Sequence, residues 1–325
     1  MLVRSFLSRP QVQLILGLIA RSAIHIKREP ALDHNYANAN GVRLHYVTAG
    51  TGPVILFIHG FPEFWYAWRD QLNEFSRTHR AVALDMRGYN LSDKPADVEA
   101  YRAKHLVEDL RRFIDHLGAR PCVVVAHDWG GAVAWNLASR HPDYLTRLVI
   151  INAAHPVPFA RALKDNPEQI AASQYMLLFR DPKAERVLSE NNFKRMEGLL
   201  RSDFGGTDGE WPTDDDLAHY RAAWSRPGAL TGGLNYYRAS PVHPKAPDAP
   251  GATAVDLDPK DFMVKVPTLV IWGEKDQALR PVLLDGLGDL TSDLTIKRIA
   301  QGSHWVAHER PEEVNRLIRE FIRTP

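Results

Sequence analysis

Two hydrophobic rhythms alternate along the chain. Unbroken apolar runs occur at residues 54–58, 81–84, 122–126 and 148–151 and read as strands of a buried sheet, and 268–272, which opens on Thr268, returns to the same strand character. A further strand is expected at 294–299, and one of rough alternation at 41–47, where Val42, Leu44 and Val47 mark the pattern. Between them the apolar positions recur every three or four residues, as on one face of a helix. Trp65, Trp68, Leu72 and Phe75 predict a helix over 65–75. Leu106, Leu110, Phe113, Ile114 and Leu117 predict one over 101–117, closed by Gly118. Helices are also expected at 130–139 and at 311–322, the last carrying Val314, Leu317, Ile318 and Phe321 on one side. Strand and helix in alternation indicate a mostly parallel sheet with helices on both faces.

The alternation lapses between residues 156 and 245. This region has helical stretches at 168–179, 183–200 and 214–223 and no convincing apolar strand. It reads as a helical insertion between two sheet strands, set on the carboxyl side where ligands of such sheets bind. The expected organisation is an N-terminal helical extension (1–34), the first part of an α/β core (35–155), a helical cap (156–245) and the rest of the core (246–325).

Composition narrows the function classes. The 325 residues carry 40 Lys+Arg against 39 Asp+Glu, a balance that gives no electrostatic reason for a nucleic-acid partner. With 45% hydrophobic residues the chain has ample material for a core. The lone cysteine, Cys122, excludes an intrachain disulfide, and no cluster has metal-ligand spacing. Neither a metal nor a cofactor is expected. The apolar run at 11–20 is too short to span a membrane, which takes about 20 residues. Residues 1–30 read as a helical extension packed on the body or on a second subunit, which allows a homodimer. Arg4, Arg9, Arg21, Lys27 and Arg28 leave open a basic helix on a membrane surface, and an export signal is the third reading. The location that goes with the first reading is cytoplasmic.

The candidate chemistry begins at Ala126-His127-Asp128-Trp129-Gly130-Gly131. A strand runs into this segment and a helix out of it, with small residues two before and two after Asp128. That is what a sharp strand-to-helix turn needs if it is to lift its central side chain above the sheet. Asp128 alone also reads as a helix N-cap. Asp276 and His304 each follow a strand, on the same face, and the order nucleophile, acid, histidine is that of hydrolases built on this sheet. The loop His59-Gly60-Phe61-Pro62 reads either as a Gly-Pro turn or as a donor loop. In the second case the backbone N–H groups of Phe61 and Trp129 would form an oxyanion hole.

On these residues the chain resembles the epoxide hydrolase family of the α/β-hydrolase superfamily, over about residues 35–323. His59-Gly60-Phe61-Pro62-Glu63 is similar to the family's oxyanion-loop motif, in which the bond before the proline is commonly cis, and His127-Asp128-Trp129-Gly130-Gly131 to its nucleophile motif. Arg87-Gly88-Tyr89 resembles a further family loop, read as structural. Two cap motifs complete the match: Tyr175 with Phe179 four residues on, and Tyr236-Tyr237-Arg238, where Tyr236 stands in place of a frequent tryptophan. The resemblance implies an eight-stranded α/β-hydrolase sheet with an inserted cap. It also implies that Asp128 forms an alkyl ester with an epoxide, that Tyr175 and Tyr237 donate to the epoxide oxygen, and that His304, oriented by Asp276, activates the water that cleaves the ester. Tyrosine suits the donor role because its ordinary pKa near 10 keeps it protonated. The expected partners are a small apolar epoxide and water, in a pocket of His59, Phe61, Trp65, Trp129, Met176, Phe179 and Trp305.

The alternative is a haloalkane or haloacid dehalogenase using the same aspartate. Phe61 stands where the haloalkane enzymes often have asparagine, and Trp129 where the haloacetate enzymes have arginine. Ester hydrolysis fits less well, since a carboxylate attacking an ester would give an anhydride. A binding module with a decayed site should have lost at least one of Asp128, Asp276, His304 and the two tyrosines, and all are present.

Overall fold

The computed structural model describes residues 31–205 and 211–323. The expected N-terminal helical extension and its membrane or partner readings lie outside those residues, apart from 31–34. Eight strands form one sheet: β1 (Asp33–Ala39), β2 (Val42–Ala49), β3 (Val54–Ile58), β4 (Arg80–Leu84), β5 (Cys122–His127), β6 (Leu145–Ile151), β7 (Thr268–Gly273) and β8 (Leu294–Ile299). Their spatial order is β1-β2-β4-β3-β5-β6-β7-β8. The β1–β2 and β2–β4 pairs are antiparallel and every other pair is parallel.

Helices cover both faces. They are α1 (Arg69–Phe75, after a 3₁₀ turn at Trp65–Trp68), α2 (Ala103–His116), α3 (Asp128–Arg140) and the C-terminal α10 (Val306–Glu309) and α11 (Pro311–Arg323). The apolar runs are explained by this sandwich. In β3, Ile55 and Phe57 pack with Trp68, Leu72 and Phe75 on one face, while Leu56 and Ile58 pack with Val133 and Leu137 on the other. Successive side chains point to opposite faces, so a strand covered on both must be apolar throughout. Each fully buried aliphatic or Phe side chain contributes about 1.5–3 kcal/mol. Residues 41–47 and 33–39 behave otherwise. β1 is a polar, Asn-rich strand paired only with β2 at the sheet edge, a composition that carries little strand signal.

Between β6 and β7 lie α4 (Pro156–Asp165), α5 (Pro167–Ala172), α6 (Tyr175–Arg180), α7 (Ala184–Gly198), α8 (Asp214–Trp224) and α9 (Ala229–Ala239). The single helix expected over 168–179 is two, α5 and α6. The one expected over 183–200 is interrupted at Glu190–Phe193, where Asn191, Asn192 and Phe193 take left-handed backbone angles. α4 and α9 escaped the periodicity reading. These helices seat on the loops that follow β3 and β4. Trp224 Nε1 donates to the Pro62 carbonyl at 2.7 Å, and the Tyr236 hydroxyl to the Arg87 carbonyl at 2.9 Å. Gly232 lies so close to Gly88 that a Cβ there would stand 2.4 Å from its carbonyl oxygen. Arg87 itself is held by Asp109 through Nε at 2.6 Å, the structural use expected of its loop. Among the described residues no helix is long and apolar enough to cross a membrane.

Candidate active site

The turn from β5 into α3 places Asp128 at a backbone φ of +47°, the left-handed region that costs a non-glycine residue about 1–2 kcal/mol. The strain is sustained by close packing. A Cβ on Gly130 would lie 2.4 Å from the His59 carbonyl oxygen, and one on Gly60 would lie 2.3 Å from Asp128 Oδ1. Only glycine lets the oxyanion loop and the turn approach this closely. The Phe61 N–H then donates to Asp128 Oδ1 at 2.7 Å. The Trp129 N–H belongs to the first turn of α3, where backbone donors have no intrahelical acceptor. The Phe61–Pro62 bond is cis.

His304 and Asp276 are joined on the same side. His304 Nδ1 and Asp276 Oδ2 are 2.7 Å apart, and both side chains are buried. The other ring nitrogen, Nε2, stands 3.9 Å from Asp128 Oδ2, beyond hydrogen-bonding distance. Asp276 accepts three further bonds, from the N–H groups of Ala278 and Leu279 to Oδ1 and from Asn152 Nδ2 to Oδ2, each at 2.8 Å. Burial pulls the His304 pKa down, but the charges of Asp276 and Asp128 outweigh it and raise it to about 9. Asn152 also accepts from the Gly273 N–H at 2.8 Å, which ties the end of β6 to the end of β7. Sequence reasoning missed Asn152. Its only signal was a position one residue past an apolar strand, on the catalytic edge.

Tyr175 on α6 and Tyr237 on α9 both line the cavity that reaches Asp128. Burial first, and the Asp128 charge next, hold both phenols well above the ordinary tyrosine value, so both stay protonated. Their ring centroids are 6.2 Å apart. The cavity is about 250 Å³ and its wall is chiefly apolar, including Ala132, Phe159, Met176, Phe262 and Leu279.

Of the seven expected pocket residues, Trp129 and Met176 line this cavity. The other five do not line that cavity. His59 is fully buried and accepts the Met86 N–H on Nε2 at 3.1 Å, so it braces the loop. Phe61 and Phe179 pack against Tyr237, with ring centroids 5.4 and 5.0 Å from its own. Trp65 packs against Phe64 and His34, far along the loop. Trp305 is buried with its indole N–H on the Leu199 carbonyl. Apolar character alone could not separate a cavity wall from the layer behind it.

A buried carboxylate was also passed over. Glu63, at the end of the oxyanion-loop motif, accepts from His308 Nε2 and from the Tyr220 hydroxyl, both at 2.7 Å, and faces His127 Nδ1 at 3.3 Å. Burial would raise its pKa, yet His308 and His127 hold it well below the carboxylate range. His127 in turn donates through Nε2 to the His304 carbonyl at 2.9 Å.

The comparisons with known proteins agree with this geometry. A family model described as alpha/beta hydrolase fold matches residues 53–311. The chain is 36% identical over 307 residues to epoxide hydrolase 2 of Caenorhabditis elegans, covering 92% of this chain and 83% of that one. It is 38% identical over 292 residues to epoxide hydrolase 4 of Mus musculus, covering 87% and 77%. The crystal structure of a Bacillus megaterium epoxide hydrolase in complex with an inhibitor superposes with a TM-score of 0.80 at 35% identity, covering 89% of this chain and 100% of that one. The chain therefore belongs to the epoxide hydrolases of the α/β-hydrolase superfamily, cofactor-independent enzymes that convert an epoxide to a diol through an aspartate nucleophile.

Proposed function

We propose that this chain performs epoxide hydrolysis with Asp128, His304, Asp276, Tyr175 and Tyr237 in the following roles. Asp128 Oδ1 is held by the Phe61 N–H, which leaves Oδ2 to attack an epoxide carbon. As the carbon–oxygen bond breaks, negative charge grows on the leaving oxygen. Tyr175 and Tyr237 hydrogen-bond that oxygen and supply its proton. The product of this step is an ester on Asp128.

Hydrolysis of the ester falls to His304. Its Nε2 is not bonded to Asp128, so it is free to take a proton from a water that attacks the Asp128 carboxyl carbon. Asp276 holds the ring by Nδ1 and stabilises the imidazolium that forms. The Phe61 and Trp129 N–H groups hold the tetrahedral oxyanion, collapse releases the diol and restores the carboxylate, and the proton taken up by His304 returns through water to the phenolate left by ring opening. One such donor is worth about 2.7–4 kcal/mol.

Esterification also prepares the base. The Asp128 charge is among the causes that raise the His304 pKa, and ester formation removes it. His304 therefore loses affinity for its proton at the stage at which it must accept one from water.

The observation that carries this reading is the convergence of Asp128, Tyr175 and Tyr237 on one apolar cavity, with the Asp276–His304 pair beside the aspartate. The test is incubation with an aryl epoxide and, separately, with a bromoalkane. Diol without bromide is expected, and bromide without diol would favour the dehalogenase. The finer partner and location readings are proposals of the sequence: a small apolar epoxide, a homodimer, contact of residues 1–30 with a membrane surface, and a cytoplasmic site. Sedimentation, vesicle flotation and cell fractionation test the last three.

A further inference from the structure

The two phenols must address one oxygen atom, yet they sit on different helices, Tyr175 at the start of α6 and Tyr237 near the end of α9. Something has to set their separation. The last residue of α6, Arg180, reaches across to the end of α9. Its Nη1 donates to the carbonyl oxygens of Tyr237, of Arg238 at 3.3 Å and of Ser240 at 3.0 Å. The final carbonyls of a helix have no intrahelical donor, and a cation there is favoured by the helix dipole. A C-terminal cap is ordinarily supplied by the chain that leaves the helix. Here it comes from the helix that bears the other phenol. Beside it, Phe179 fills the apolar space between the two, its ring 5.3 Å from Tyr175 and 5.0 Å from Tyr237.

We propose that Arg180 is a positioning residue that sets the spacing of Tyr175 and Tyr237 by clamping the carbonyl end of α9, at Tyr237 itself, to α6. The inference rests on the donor role assigned above to the phenols. Arg180 reaches neither the substrate carbon nor the water, so its effect is confined to the step that uses both hydroxyls. All three contacts come from one guanidinium nitrogen, Nη1, whose N–H groups are held in the rigid plane of the charged head. A glutamine offers a shorter reach and no charge, while a lysine keeps the charge but offers a point donor.

The test separates the two chemical steps. Rapid mixing with an aryl epoxide gives the rate of ester formation, and mass spectrometry of quenched samples follows its decay. In Arg180→Gln, ester formation is expected to slow by about tenfold or more, the scale of a small misplacement of a reacting group, while ester hydrolysis stays within about twofold of the parent. Arg180→Lys should recover part of the loss. In a Tyr237→Phe background, where the clamped hydroxyl is gone, Arg180→Gln should add less than about threefold. A purely structural arginine would lower the active fraction and leave both rate constants unchanged. That result, or an equal fall in both steps, overturns the proposal. If Tyr237→Phe alone leaves ester formation unchanged, the phenol assignment fails, and the clamp fails with it for a distinguishable reason.

Discussion

His304 Nε2 lies 3.9 Å from Asp128 Oδ2, close enough to feel its charge and too far to be tied to it by a hydrogen bond. The same ring is fixed on its other side by Asp276 at 2.7 Å. A base so placed is needed for the second chemical step and not for the first. His304→Gln should therefore retain ester formation within about tenfold and lose ester hydrolysis by a factor of about 10³ or more. An adduct of epoxide mass on the Asp128 peptide should accumulate, and intact-mass spectrometry during turnover checks it. A variant that is inactive and free of adduct would refute this division of labour.

The raised His304 pKa gives a sign to the pH dependence. Its value of about 9 lies above the ordinary 6.5, so the folded state holds the proton more tightly than the unfolded chain. The associated stability is fully present below about pH 6.5 and is lost as pH rises through 9. The difference in Tm between the parent and His304→Gln should shrink over that window. Asp128→Asn removes one of the charges that raise the histidine, so imidazole titration by NMR should give a lower His304 pKa in that variant.

Asn152 adopts a positive φ of 37° while its amide holds Asp276 and the Gly273 N–H. Asn152→Gly keeps the backbone conformation accessible and deletes only the amide. A hydrogen bond to a charged group contributes about 1.5–3 kcal/mol. Ester hydrolysis should slow by about 10- to 100-fold, with ester formation nearly unchanged, as single-turnover kinetics would report.

Two glycines beside Asp128 should respond differently to alanine. At Gly60 the atoms nearest an added Cβ are those of the Asp128 side chain, whereas at Gly130 they are the backbone of Ile58 and His59. Gly60→Ala is expected to cost more than about 100-fold in ester formation, with a modest fall in Tm. Gly130→Ala is expected to lower Tm by several degrees as well, because backbone must move. Calorimetry together with rapid-mixing kinetics distinguishes them.

Glu63 joins the oxyanion loop to the C-terminal helices through His308 and to α8 through Tyr220. Glu63→Gln replaces an acceptor-only group with one that presents N–H to existing donors. Breaking a buried network of this kind costs about 3–5 kcal/mol. Chemical denaturation should show a loss of that order at neutral pH. Its pKa is depressed in the folded state, so the loss relative to the parent should diminish as pH falls below the carboxylate range.

The sequence by itself determined the layered α/β scheme, because a strand covered on both faces is apolar along its length, as β3 is throughout and β5 and β7 are apart from His127 and Thr268 at their ends. It also singled out Asp128, Asp276 and His304 as candidates, since each follows a strand on one edge of the sheet. The cap motifs pointed to Tyr175 and Tyr237 through a resemblance. Periodicity had no part in that. α9 contains Gly232 and Gly233 and has little helical propensity of its own, and it is held by its packing on Gly88 and by the Arg180 clamp. α4 opens on Pro156, which reads as a break although proline suits a first turn. Only the tertiary structure decided which aromatic residues wall the cavity, that Asn152 and Glu63 brace the catalytic groups, and that Arg180 joins the two phenol helices. These are contacts between residues as many as 245 positions apart, as for Glu63 and His308, and local pattern carries no information about partners that meet only when the chain is folded.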